Sequence, residues 1–180
     1  MSLYLWTWKF IKYNFLNKYN FLRNLEDDLH YIIEVNADWV RILEINDFCL
    51  HNDYLWISRT NFKKEKILRV LENSLDYFWK EYDYVFNFYS NNYVVCSELV
   101  IKSYAKEFNT DEWLDFKLDK GGITLIYYPN NFIKEIFKKS NDLTAIMFID
   151  SLEKTSDNFI STNEEFEKSF LRSRFSFMLD

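Results

Sequence analysis

A chain of 180 residues, 48% apolar and 21% aromatic, has ample material for one hydrophobic core and lacks the composition of a disordered segment. Its net charge of −6 argues against non-specific binding to nucleic acid, which needs clustered Lys and Arg to neutralise phosphates. Two cysteines, Cys49 and Cys96, are too few for a disulfide framework and leave the redox compartment open.

Residues 1–28 form an aromatic opening. The order of a signal peptide is missing from Leu3-Tyr4-Leu5-Trp6-Thr7-Trp8, and no apolar stretch reaches the roughly 18 residues of a membrane span. The default compartment is therefore cytoplasmic. Lys9, Lys12, Lys18 and Arg23 among the aromatics also suit a helix lying in a membrane interface, hence a peripheral membrane contact. A core-packing helix or an irregular aromatic segment is the preferred reading.

Strands are expected at Tyr31 to Val35, at Trp39 to Leu43 after a turn over Asn36-Ala37-Asp38, and at Tyr54 to Arg59, together an antiparallel meander. With only two Gly and one Pro in the chain, turns fall to Asn and Asp. From Lys63 to Lys80, Ile67, Val70, Leu71, Leu75 and Phe78 recur at helical spacing with charges opposite, which predicts an amphipathic helix. Tyr93-Val94-Val95 is a short apolar run, and Ser97 to Phe108 has helical spacing, so Cys96 stands at a helix start. Beyond it, Gly121-Gly122 marks a turn, Ile123 to Tyr128 a strand, Asn131 to Lys139 a short helix and Leu143 to Ile149 a further strand. Residues 151–180 read as a C-terminal extension of a single domain spanning 1–180.

A thiol in the first turn of a helix sits at the positive end of the helix dipole among unpaired N–H groups, and both favour the nucleophilic thiolate. A lone Cys beside Val and Leu is more often a small buried hydrophobe. Its neighbours carry more. Tyr82-Asp83, then Tyr93-Val94-Val95-Cys96-Ser97-Glu98-Leu99-Val100, resembles the nucleophile motif of circularly permuted NlpC-type, papain-like hydrolases, the YiiX-like amidase group. Ile32-Ile33-Glu34-Val35 is similar to the family's strand with an internal Glu, Val40-Arg41-Ile42 to the strand that follows, and Pro129-Asn130-Asn131 to a later family segment. The resemblance spans about residues 31 to 133, and its specific part is the Cys-Ser-Glu-Leu-Val block.

It implies an α+β fold, a small antiparallel sheet or partial barrel packed on helices, with the nucleophile at a helix N-terminus. It further implies a thiol amidase, peptidase or esterase attacking a peptide or lipid-like amide or ester through an acyl-enzyme, with no cofactor. Cys96 would be the nucleophile, and Tyr82, Asp83 and Tyr93 would stand near the substrate. Such chemistry needs a base and a group that orients it. The family carries its His on a strand ahead of the strand Glu, but Asn20-Phe21-Leu22-Arg23 occupies that stretch here. His30 is the provisional base, or else an imidazole at a strand edge. Glu34 is the orienting carboxylate, or else a polar residue on a strand's solvent face. His51 falls in an expected loop. Two His and two Cys at no zinc spacing give no metal site. The alternative function is an inactive relative that keeps the fold as a binding or interaction module.

Overall fold

Tyr31, Ile33 and Val35 point one way from a single strand into the main core, while on the opposite side His30 is exposed, Glu34 is partly so, and only Ile32 between them is buried. This period-2 alternation organises the molecule. The computed structural model describes residues 1–52, 54–87, 90, 92–105, 119–121, 124–126, 143–150 and 159–160. The helix expected over 131–139 and most of the extension at 151–180 lie outside them.

The first sheet has the order β1 (Ser2–Thr7), β2 (His30–Val35), β3 (Val40–Glu44), with β2 antiparallel to both neighbours. The β2–β3 turn uses Asn rather than Gly: Asn36 Oδ1 accepts from the N–H groups of Asp38 (2.9 Å) and Trp39 (2.8 Å). The N-terminal segment is more regular than expected. β1 is interrupted by a β-bulge between Tyr4 and Trp6, where Trp6 takes a φ of 88°. Thr7 then caps α1 (Trp8–Phe15) by accepting from the N–H of Phe10 at 3.4 Å. Trp8, Ile11 and Phe15 of α1 are buried, so its apolar side faces the core and Lys9 and Tyr13 face water. Residues 20–24, where the family would carry a strand, form a 3-10 turn (Asn20–Asn24) whose Leu22 is fully buried.

After β3 the chain departs from the expected meander. A short helix, α2 (Ile45–Leu50), carries it away from the first sheet, and β4 (Tyr54–Thr60) pairs antiparallel with β9 (Leu143–Asp150) instead. His51, expected in a loop, is the C-cap of α2. The amphipathic helix forms as α3 (Lys64–Leu75), ending earlier than the apolar spacing suggests. Trp79 adopts a left-handed φ of 67°, its N–H bonds the Val40 carbonyl at 3.1 Å, and the Lys80 carbonyl accepts from the N–H of Val40 at 2.8 Å. The backbone of residues 79–80 is thus drawn onto β3 rather than into the helix.

That path leads to β5 (Glu81–Tyr82), which runs parallel to β6 (Tyr93–Val94), and then to α4 (Cys96–Ala105). β7 (Asp119–Gly121) and β8 (Thr124–Ile126) pair antiparallel, and β10 (Phe159–Ile160) flanks β9. The chain is therefore α+β, small antiparallel sheets packed on helices, with no closed barrel among the described residues. No described helix is long and apolar enough to cross a membrane.

α4 lies over the buried side of β1 and β2 and beside α3. Leu99, Val100 and Ile101 join Leu3, Leu5, Ile33 and Leu75 in the core. Asn73 donates to the Ser103 carbonyl at 3.0 Å, fastening α3 to α4 inside the protein. Leu99 is 0% exposed, so Leu99→Ala should lower the unfolding free energy by about 2–5 kcal/mol, read as a fall in urea midpoint at unchanged m-value. A loss below about 1 kcal/mol would show that α4 does not close the core.

Candidate active site

Cys96 is the first residue of α4, immediately after β6 and Val95. What fixes the helix start is Glu98. Its Oε2 accepts from the Val95 N–H at 3.2 Å, while the Leu99 N–H bonds the Val95 carbonyl at 2.9 Å. This is the carboxylate half of a capping box, with Val95 at the cap position. Glu98 is only 1% exposed and is ion-paired with Lys102 one turn along, and Lys102 also donates to the Ser90 carbonyl at 2.5 Å. Burial pushes the Glu98 carboxyl above its ordinary range against the pull of Lys102 and the Val95 N–H, and the charge of Asp83 adds to the rise. Glu98 thus acts as a structural clamp that leaves Cys96, half-buried and free of any disulfide, at the positive end of α4.

The parallel pairing of β5 with β6 sets Glu81 opposite Tyr93 and Tyr82 opposite Val94. Tyr82 sits beside the thiol: burial raises its phenol pKa, and the charge of Cys96 is the next largest cause. Asp83, 3% exposed, accepts from the Val85 N–H through Oδ1 at 3.0 Å, and its N–H bonds the Val94 carbonyl at 3.3 Å. The structure therefore gathers Tyr82, Asp83 and Tyr93 on the strand pair that leads into Cys96. They share an open cavity of about 370 Å³ whose walls also include Asp38, Trp39 and Glu81. Trp39 reaches it because the Tyr82 N–H bonds the Asp38 carbonyl at 2.8 Å, and the Tyr84 hydroxyl straps the same turn by donating to the Ala37 carbonyl.

His30 and Glu34 are placed differently. They project from β2 on the side opposite Tyr31, Ile33 and Val35, whereas α4 packs with those three. His30 Nδ1 shares a hydrogen bond with the Tyr4 hydroxyl, and the two rings are stacked at 5.9 Å. Glu34 faces its cross-strand partner Arg41 and accepts from Nε at 2.9 Å and Nη2 at 2.7 Å. His51 donates from Nδ1 to the Asp47 carbonyl at 2.6 Å. Neither imidazole of the chain is hydrogen-bonded to Cys96. Among the described residues, no cluster of His, Cys, Asp and Glu could hold a metal ion.

Sequence reasoning overlooked Trp39, Glu81 and Tyr84 as cavity residues. The turn at Asn36-Ala37-Asp38 was legible, but not that residues 79–82 would lie against it. The structural role of Glu98 had a signal in its position three residues after Val95, and it was read only as a charge near a helix dipole.

A thiol at the start of a helix, with small antiparallel sheets packed against that helix, is the arrangement of a papain-like cysteine hydrolase. The model of the permuted papain-like amidase enzymes, the YaeF/YiiX or C92 family, matches residues 17–124, and the chain belongs to that family. The matched stretch holds β2, α3, the cleft and the Cys-Ser-Glu-Leu-Val block, while β1 and α1 precede it. No curated protein and no solved structure matches the chain.

Because the folded Glu98 carboxyl holds its proton more tightly than an ordinary one, the folded state binds more protons than the unfolded state between 4.5 and the raised value. Stability should fall as pH rises through that window. In Glu98→Gln the slope should flatten, measured as urea midpoint against pH; an unchanged slope would mean that Glu98 is not the group responsible.

Proposed function

We propose that the protein is a thiol hydrolase in which the Cys96 sulfur attacks the carbonyl carbon of an amide or ester. The observation that supports this most directly is the place of Cys96 at the head of α4, held by the Glu98 clamp directly after the strand pair whose Tyr82, Asp83 and Tyr93 line the cavity; Cys96 is not itself among the described lining residues. In the first step a sulfur–carbon bond forms and the amine or alcohol leaves with a proton, giving a thioester. Water then breaks the thioester, releasing the carboxylic acid and restoring the thiol. Tyr82, Asp83 and Tyr93 line the ground on which the substrate would rest.

The proton on Cys96 needs an acceptor, and His30 is assigned that role with Glu34 as its orienter. Both lie on the face of β2 opposite the one that packs with α4, so serving Cys96 would take a rearrangement of β2 as well as loss of the Tyr4 hydroxyl and Arg41 as partners. One observation favours a second reading: with no imidazole bonded to the thiol, the domain would keep the cleft and bind without turnover.

An acylating probe followed by mass spectrometry separates the two. Cys49 is the internal control: it is exposed to the probe, while partial desolvation, with the charge of Glu44 adding, raises its thiol pKa and so lowers its thiolate fraction. In a hydrolase, Cys96 should acylate at least about tenfold faster than Cys49, and the thioester should turn over. Cys96→Ala should abolish both, and His30→Ala should slow acylation by roughly 10²–10⁴-fold. Equal labelling of both thiols with no turnover leaves the binding module. Fast labelling unaffected by His30→Ala keeps Cys96 as nucleophile and removes His30 as base.

A further inference from the structure

The wall of the cavity carries a set of aromatic contacts that the core does not need. Asp83 to Phe86 make a tight turn with Tyr84 and Val85 at its centre. The Phe86 N–H bonds the Asp83 carbonyl at 3.4 Å, and the Val85 N–H bonds Asp83 Oδ1 at 3.0 Å. The buried Asp83 side chain is thus a turn former, and its own N–H ties the turn to the Val94 carbonyl, just before Cys96. Because the turn folds back, two rings that follow Tyr82 in sequence are set against it. Tyr84 lies 4.8 Å from Tyr82 between ring centres, and Phe86 meets it edge-on at 6.4 Å.

Two features separate these contacts from core packing. Tyr84 is 68% exposed and adds little to the interior, yet its hydroxyl is anchored to the Ala37 carbonyl in the β2–β3 turn. Phe86 holds a left-handed φ of 56°, a position suited to Gly or Asn and costly for a bulky side chain. A strained residue kept at the edge of a site points to a use for its side chain. What both rings meet is Tyr82, which lines the cavity and whose strand pairs with the one leading into Cys96. Its N–H is fixed to the Asp38 carbonyl at 2.8 Å. Burial, and then the charge of Cys96, raises its phenol, so the hydroxyl keeps its proton and remains a hydrogen-bond donor beside the thiol.

We propose that Tyr84 and Phe86 are positioning residues: their rings, locked by the Asp83 turn and the Ala37 carbonyl, hold the Tyr82 phenol in one orientation next to Cys96. Neither ring has to touch a substrate to act, because displacing a site group by about 1 Å is enough to slow a reaction greatly. The effect on Cys96 chemistry rests on the hydrolase reading above. The hold on Tyr82 does not, and it is measured separately.

Two measurements on the full chain test this: the rate at which an acylating probe labels Cys96 relative to Cys49, and amide hydrogen exchange at Tyr82. Tyr84→Ala removes ring and hydroxyl, Tyr84→Phe the hydroxyl alone, and Phe86→Asn the ring at a residue type that accepts the left-handed backbone. Tyr84→Ala and Phe86→Asn should each lower the Cys96-to-Cys49 ratio about fivefold or more. Both should speed exchange at Tyr82 by about two- to tenfold, the size of one lost aromatic pair. Tyr84→Phe, which keeps the ring, should retain about half or more of the native ratio. Tyr13→Ala, at an 88% exposed aromatic of α1, should change neither readout. Unchanged exchange at Tyr82 in both ring variants would overturn the assignment, as would an unchanged ratio in a protein whose Cys96 outpaces Cys49. If native Cys96 labels no faster than Cys49, the hydrolase reading falls, and exchange at Tyr82 still decides whether the two rings hold it.

Discussion

Everything around the thiol hangs on one buried carboxylate. Glu98 holds the Val95 N–H, so α4 begins at Cys96 and at no neighbouring residue. Its charge is tolerable because Lys102 answers it from the next turn and reaches on to the Ser90 carbonyl. A buried ion pair of this kind is not a large source of stability in itself, since desolvation offsets much of the attraction. Its value here is positional. Start the helix one residue earlier or later and the thiol rotates by about 100° about the helix axis, because an α-helix has 3.6 residues per turn.

The second constraint is the phase of β2. A strand presents alternate residues to opposite faces, and Tyr31, Ile33 and Val35 are committed to the core by burial. His30 and Glu34 are thereby committed to the other side, where Tyr4 and Arg41 meet them. The same apolar alternation that secures the sheet under α4 thus decides which partners the imidazole has. Nucleophile position and base position are governed by separate elements in this protein, and it is the first that the fold secures tightly.

How much of this could be read beforehand depended on the range of the interactions involved. Periodicity located β2, β3 and α3, because period-2 and 3.6-residue patterns are local. The motif block located Cys96, because capping by Glu98 is also local, three residues from Val95. The pairing of β4 with β9 was not legible: the partners are separated by more than eighty residues in sequence, and nothing in Tyr54–Thr60 distinguishes one apolar partner strand from another. The cleft was half legible. Tyr82, Asp83 and Tyr93 stood out from their place near the motif, but Trp39 enters only through backbone bonds between Asp38 and Tyr82 and between Val40 and residues 79–80. Asn-based turns and left-handed aromatics such as Trp79 and Phe86, in a chain with two glycines, hid the points where the backbone reverses.

Leu3 faces Ile33 and Tyr4 faces Ile32, but Trp6 then faces Tyr31 and Thr7 faces His30, so one residue of β1 is supernumerary. That extra residue works as a phase adjuster between two periodicities. Leu3 and Leu5 would share the core face in an uninterrupted strand as well; what the extra residue changes is the register beyond them, so that Thr7 comes opposite His30 where α1 starts. Loss of a single residue here would shift Trp6 and Thr7 against Tyr31 and His30 and move the start of α1 relative to the sheet. The edge of this fold is therefore less forgiving of insertions and deletions than of substitutions.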